Sequence, residues 1–323
     1  MRNLSLLRDK SLDIGAGLFV SIAILRHCFQ YAYLTNNMLY YWITNIFACF
    51  MAWFYFKSGM FYKPQESKSI KNFCKEIAPK ILFPFLKYWL YSCIVYIFMI
   101  AFIDGGVDVI YFKKILYDLI YYNATPNNGP LWFLISIFGV RFICNFFLRG
   151  GFLVLSVLIV FSYLISRLQD WHLPIALLNI PLGCVFFLLG YMFKKLQYDK
   201  KICIVSLIIV VVTLYFNPSY VGFRENILIR GNYFLFILFA TCSICVCNYF
   251  LKRVCKLSLF GLTTLFSIIG KYSLPIFCIN NVFIDAVYQG LQICGLKNIY
   301  QLVIYFSVAF VVIWIITYRK YSN

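Results

Sequence analysis

Long apolar runs follow one another along this chain with breaks too short to hold a domain. A bilayer core roughly 30 Å thick takes about 20 mostly apolar residues of helix to cross. Ten segments come near that length, at 12–31, 38–56, 81–103, 131–148, 151–166, 174–193, 202–216, 232–250, 261–288 and 300–318. A lipid-exposed backbone must satisfy its own hydrogen bonds, so these segments predict helices. The expected fold is all-α: a polytopic membrane helix bundle of about ten transmembrane helices, one domain over 1–323. The fifth and seventh segments are short. The ninth contains Gly270 and Pro275, which predict a bend. Composition agrees, since 63% of residues are hydrophobic and 12% charged, with a mean hydropathy of +0.83. Soluble domains carry roughly 25% charged residues. The apolar part of the first segment exceeds the 7–15 residue core of a signal peptide and no small-x-small cleavage site follows, so it is expected to be retained.

The formal charge of +18 suggests nucleic acid only until its placement is considered. Of the 29 Lys and Arg residues, 19 lie in the N-terminus, the C-terminal tail and every second loop. The remaining loops hold six, and Arg26, Lys87, Arg141 and Lys271 fall inside spans. This is the positive-inside asymmetry. It predicts both termini cytoplasmic, in the cell inner (cytoplasmic) membrane, with basic loops against anionic membrane lipids and no nucleic-acid partner. The 13 cysteines lie mostly within spans, including the "CSICVC" cluster at Cys242, Cys245 and Cys247. They read as small apolar fillers, with no disulfide framework and no metal site.

Within the first span stands "ILRHCFQ", 24–30, with Arg26 beside His27. The chain has two histidines; the other, His172, lies in a short outer loop. His27 is fifteen residues past Leu12, about 22 Å along a helix, which puts it in the outer half of the bilayer. Arg141 in the fourth span is expected about 15 Å in from the outer face, facing the protein interior near His27. Ionisable groups at such depth cost at least ~2.5 kcal/mol and usually face a wet cavity. Arg26 has the alternative of snorkelling to the interface, and His27 that of bonding a neighbouring carbonyl. As a cavity residue, His27 is the available acid–base group at neutral pH. "GAG" at 15–17 and Ala23 read as packing surfaces for a close helix neighbour.

Three further stretches are "WFYFKSGMFYKP" at 53–64, read as a span ending in a Ser-Gly turn, "NNGPLWFLISIF" at 127–138, and "FFLLGYMFKK" at 186–195. With "SLDIGAG" at 11–17, His27, and Gly270 to Leu274, they resemble, in this order, the membrane acyltransferase type 3 family. That family contains sugar O-acetyltransferases. The chain departs from its pattern in three places. Ala16 stands where an arginine is usual eleven residues before the histidine, Pro130 where a histidine often precedes Leu-Trp-Phe-Leu, and Asn280 and Asn281 where a late histidine often occurs. Arg26 is ten residues and about 15 Å from the first of these positions.

The resemblance implies an O-acyltransferase, moving an acyl group, commonly acetyl from acetyl-CoA, to a hydroxyl of a cell-surface or lipid-linked carbohydrate, in polysaccharide biosynthesis. His27 is then the catalytic base, with Arg26 and Arg141 as candidates to stabilise the oxyanion. Lys57, Ser58, Lys75 and Lys80 lie on the side where CoA phosphates would arrive. Asn128 and Trp132, at the outer start of the fourth span, are candidate acceptor contacts. Two other classes also fit a many-span chain with intramembrane cations: a flippase of lipid-linked sugars and a polysaccharide polymerase. No internal repeat supports the first. The longest outer loop, about 104–130, carries little of the chemistry a polymerase needs.

Overall fold

The computed structural model describes residues 9–63, 69–147, 151–168, 171–195, 199–256, 261–293, 295 and 299–321. Arg2, Arg8, Lys68, Arg149 and Lys297, among the basic loop residues counted above, lie outside them. The chain runs α1 (Lys10–Tyr31), α2 (Met38–Ile46), α3 (Phe50–Met60), α4 (Ile70–Asp104), α5 (Val109–Tyr117), α6 (Trp132–Phe147), α7 (Gly151–Ile165), α8 (Ile175–Met192) and α9 (Lys200–Phe216). It continues with β1 (Tyr220–Gly222), β2 (Ile227–Arg230), α10 (Tyr233–Lys256), α11 (Leu262–Lys271), α12 (Ser273–Ile293) and α13 (Ile299–Tyr321). The strands form one antiparallel hairpin. An all-α membrane bundle is therefore the architecture, with this small hairpin added.

Among the described residues eight helical segments are long and apolar enough to cross a membrane, fewer than the ten expected. The fifth and seventh expected spans are α7 and α9, of 15 and 17 residues. The expected second span is divided by a turn at 47–49 into α2 and α3. The expected ninth breaks at Tyr272 into α11 and α12. Pro275 explains that break: its ring would collide with the carbonyl four residues back, on Lys271, where α11 ends. Ser58 and Gly59 lie inside α3 and form no turn, a correction to the reading of that stretch.

Two helix crossings hold the bundle at backbone contact. At the first, α3 meets α8. A Cβ on Gly59 would collide with the Phe187 carbonyl oxygen, and one on Gly190 with that of Phe56. At the second, α1 meets α11. A Cβ on Gly17 would collide with the Phe266 carbonyl oxygen, and one on Gly270 with that of Asp13. Without a hydrophobic drive inside lipid, helices associate through such close packing. The "GAG", Ser-Gly and "FFLLGY" stretches thus carry the architecture. α8 is buried along nearly its whole length against α3, α6 and α7. α4 and α13 lie at the outside, with 17% and 22% of their spans buried.

The start of α1 is fixed by Asp9, whose Oδ1 accepts from the Ser11 backbone N–H at 2.9 Å. From there α1 runs to the other end of the bundle, where His27 stands in its last turns.

Candidate active site

Around the end of α1 lies a cavity of about 560 Å³, a volume typical of small-molecule sites. One wall is α1, with Ala23, Arg26, His27, Gln30 and Tyr31. The hairpin closes a second side with Tyr220 to Glu225. α12 supplies Phe277, Asn281 and Tyr288, and the approach to α6 supplies Pro126, Gly129, Pro130 and Trp132. Rim residues Tyr33 and Ile229 are exposed.

His27 Nδ1–H donates to Gln30 Oε1 at 3.1 Å. Gln30 Nε2 in turn donates to the Tyr40 hydroxyl at 3.4 Å. With the amide in this orientation its oxygen faces His27 and only accepts, so Nδ1 carries the imidazole proton and Nε2 keeps its lone pair. The arrangement is an imidazole with a hydrogen-bonding partner one helical turn on, a geometry that suits a general base.

Arg26 is held between aromatic faces, its guanidinium carbon 5.6 Å from the Tyr220 ring centroid and 5.8 Å from that of Phe50. Its Nε is buried without a hydrogen bond. The groups acting on its charge are the Tyr220 and Tyr40 phenols, with no carboxylate among them. Burial pushes the Tyr220 phenol above its ordinary range, so it meets Arg26 as a neutral hydroxyl. On the α12 wall, Asn281 Nδ2 donates to the Tyr31 hydroxyl and the Asn127 carbonyl, each at 3.4 Å, while its Oδ1 is buried without a partner among the described residues.

The hairpin is fastened from several sides. Arg230 Nε donates to the Pro218 carbonyl at 3.0 Å, and its Nη2 to Asn45 Oδ1 on α2. Asn226 takes a left-handed backbone with φ 53 at the turn, and its side chain bonds the Ser162 carbonyl and the Tyr233 hydroxyl. Asn179 of α8 donates to the backbone carbonyl of Arg224 at 3.1 Å. Arg224 is thereby set at the cavity lip, stacked over Tyr122 at 5.2 Å.

A second polar cluster forms at the opposite end of the bundle. Lys57 Nζ donates to the Leu12 carbonyl at 3.1 Å and lies over Trp53. Arg141 Nε donates to Ser58 Oγ at 3.0 Å. Lys194 Nζ donates to the Tyr62 carbonyl at 3.2 Å, and the Tyr62 hydroxyl bonds Asn145. Arg141 therefore stands with Ser58 and does not line the cavity, against the expectation that it neighbours His27. α6 carries it nine residues, about 13 Å, away from Trp132, to where α3 and α8 meet it.

Of the residues singled out from sequence, the cavity gathers His27, Arg26 and Trp132. Lys57, Ser58 and Arg141 gather at the other end. Lys75 and Lys80 are exposed on α4 and join neither group. Asn128 is fully buried, and its Nδ2 donates to Ser92 Oγ at 2.8 Å and the Cys278 carbonyl at 2.7 Å. It ties α4 to α12 and is not part of the cavity wall. His172 is exposed. Sequence reasoning missed Gln30, three residues from His27 on the same helix face, and Arg224 in a loop without a motif.

The chain is thus a many-helix membrane bundle with a histidine-lined cavity at the end of a buried helix. The family described as "Acyltransferase domain" matches residues 18–318, and the chain belongs to the membrane acyltransferase type 3 family. It is an acyltransferase of groups other than aminoacyl groups, and a multi-pass membrane protein. No curated protein and no solved structure matches the chain.

Proposed function

We propose that this protein moves an acetyl group from acetyl-CoA to a hydroxyl of a cell-surface or lipid-linked carbohydrate, across the cytoplasmic membrane. The observation that carries the reading is His27 lining a roomy cavity with Nδ1 tied to Gln30 and Nε2 unengaged by that bond. Aromatic walls from Tyr31, Tyr220, Tyr288 and Trp132, with a few polar groups among them, suit the faces and edges of a sugar.

In this reading His27 Nε2 takes the proton of the acceptor hydroxyl as its oxygen bonds to the thioester carbonyl carbon. Arg26 offsets the negative charge that develops on the carbonyl oxygen. When the carbon–sulfur bond breaks, the imidazolium returns its proton to the leaving thiolate. Ester and thiol are the products, and His27 is neutral again.

The donor's phosphates would rest at the far cluster of Lys57, Ser58, Arg141 and Lys194. A small apolar recess of about 70 Å³ supports an approach from that side. Val20, Phe54 and Leu274 line it, and it shares Met51 and Phe277 with the cavity. Val20 is seven residues, or about 10 Å, below His27.

The test is acyl transfer from labelled acetyl-CoA by purified His27→Gln at matched folded amounts. Glutamine keeps a hydrogen bond without the basicity. A loss of about 10² or more is expected for a missing general base. Turnover near that of the unmodified protein would make His27 structural and remove the mechanism.

A further inference from the structure

Charge along the cavity lining is unmatched. Its lining holds two guanidiniums, Arg26 and Arg224, against one carboxylate, Glu225. That carboxylate approaches Arg224 at 3.6 Å, with the two side chains 34% and 40% exposed, so water weakens the pair; Asp118, outside the lining, also acts on Arg224. Arg26 has aromatic faces and phenols around it and no carboxylate. Both arginines line the same cavity as His27. A sugar hydroxyl and a thioester are neutral before they react. Neither cancels the excess.

The hairpin also holds Arg224 in place rather than leaving it free to swing into water. Its backbone is bonded by Asn179, the neighbouring Asn226 is anchored to α7 and α10, and its guanidinium is stacked on Tyr122. A cation fixed at a cavity lip is what recognition of a fixed anion requires.

Resting on the acyl-transfer reading above, we propose that the acceptor is an anionic carbohydrate, and that Arg224 is the specificity-determining residue that receives its carboxylate or phosphate group at the cavity lip. The hydroxyl to be acylated then lies deeper, toward His27. Trp132 and Tyr220, which also line the cavity, offer aromatic faces to the ring.

The experiment uses the full chain in lipid nanodiscs and three oligosaccharides of one backbone: neutral, carboxylate-bearing and phosphate-bearing. Binding is followed by calorimetry and acyl transfer by label. One of the two charged acceptors should exceed the neutral one tenfold or more in affinity and in kcat/KM, and which one it is identifies the source of the anion. That ratio should fall close to one in Arg224→Gln and largely return in Arg224→Lys. The preference should weaken as salt rises. Equal handling of charged and neutral acceptors, or an equal loss for all three in Arg224→Gln, overturns the proposal while leaving acyl transfer intact. Charge-selective binding without acyl transfer to any acceptor supports the anion site and removes the enzymatic reading beneath it.

Discussion

At the scale of single residues, the bond from His27 to Gln30 has consequences that rate measurements can read. Gln30→Leu removes the acceptor that holds the proton on Nδ1. The expected loss in kcat is about tenfold, smaller than loss of the base itself, with little change in acceptor KM. Gln30→Glu puts a carboxylate in the same place and favours the charged imidazolium. In the proposed mechanism His27 acts when neutral, so the acid limb of the kcat/KM profile should then move to higher pH. A residue that only packed would leave that limb unmoved. His27 was legible in the sequence because an ionisable group within an apolar run is costly and rare. Gln30 was in view but is an ordinary polar residue near a helix end. Arg141 was misplaced because depth was reckoned along one helix, which says nothing about which neighbours meet it. Asn128 was taken for an acceptor contact because polar residues at a span's start resemble a mouth, whereas its amide ties two helices together.

At the scale of elements, the two glycine crossings set where helices sit. Gly190→Ala should force α8 from α3, because the obstacle is a backbone carbonyl and not a side chain that can rotate away. Overpacking of this kind costs about 1–3 kcal/mol, readable as a lower midpoint of thermal unfolding in detergent. Gly106→Ala, where a Cβ meets open space, should leave the midpoint close to its original value. If both variants melt alike, the crossing is not under the strain described. The break between α11 and α12 was legible, since Pro275 dictates it locally. The turn at 47–49 was not, because no Gly or Pro marks it. The hairpin was hidden for another reason: with strands of three and four residues it is held by Asn45, Asn179 and Ser162 on other elements.

At the scale of the whole molecule, apolarity alone announced a membrane bundle, and the count differed where helices are short or divided. The basic loops predict both termini inside. Reporter fusions after Lys63, Asn123 and Lys200 should read inside, outside and inside, and an external signal at Lys63 would invert the topology. With both termini inside, the far cluster of Lys57, Ser58 and Arg141 would face the acyl-CoA pool, and the cavity the surface glycan. The crossings also bear on how such a chain can drift. A backbone carbonyl has no smaller version, so a bulkier residue at position 17, 59, 190 or 270 has no suppressor in a trimmed neighbour. Change should therefore accumulate on α4 and α13, whose outward faces need only stay compatible with lipid, while the four carbonyl-to-glycine contacts confine α1, α3, α8 and α11 to the few substitutions that leave the backbones touching.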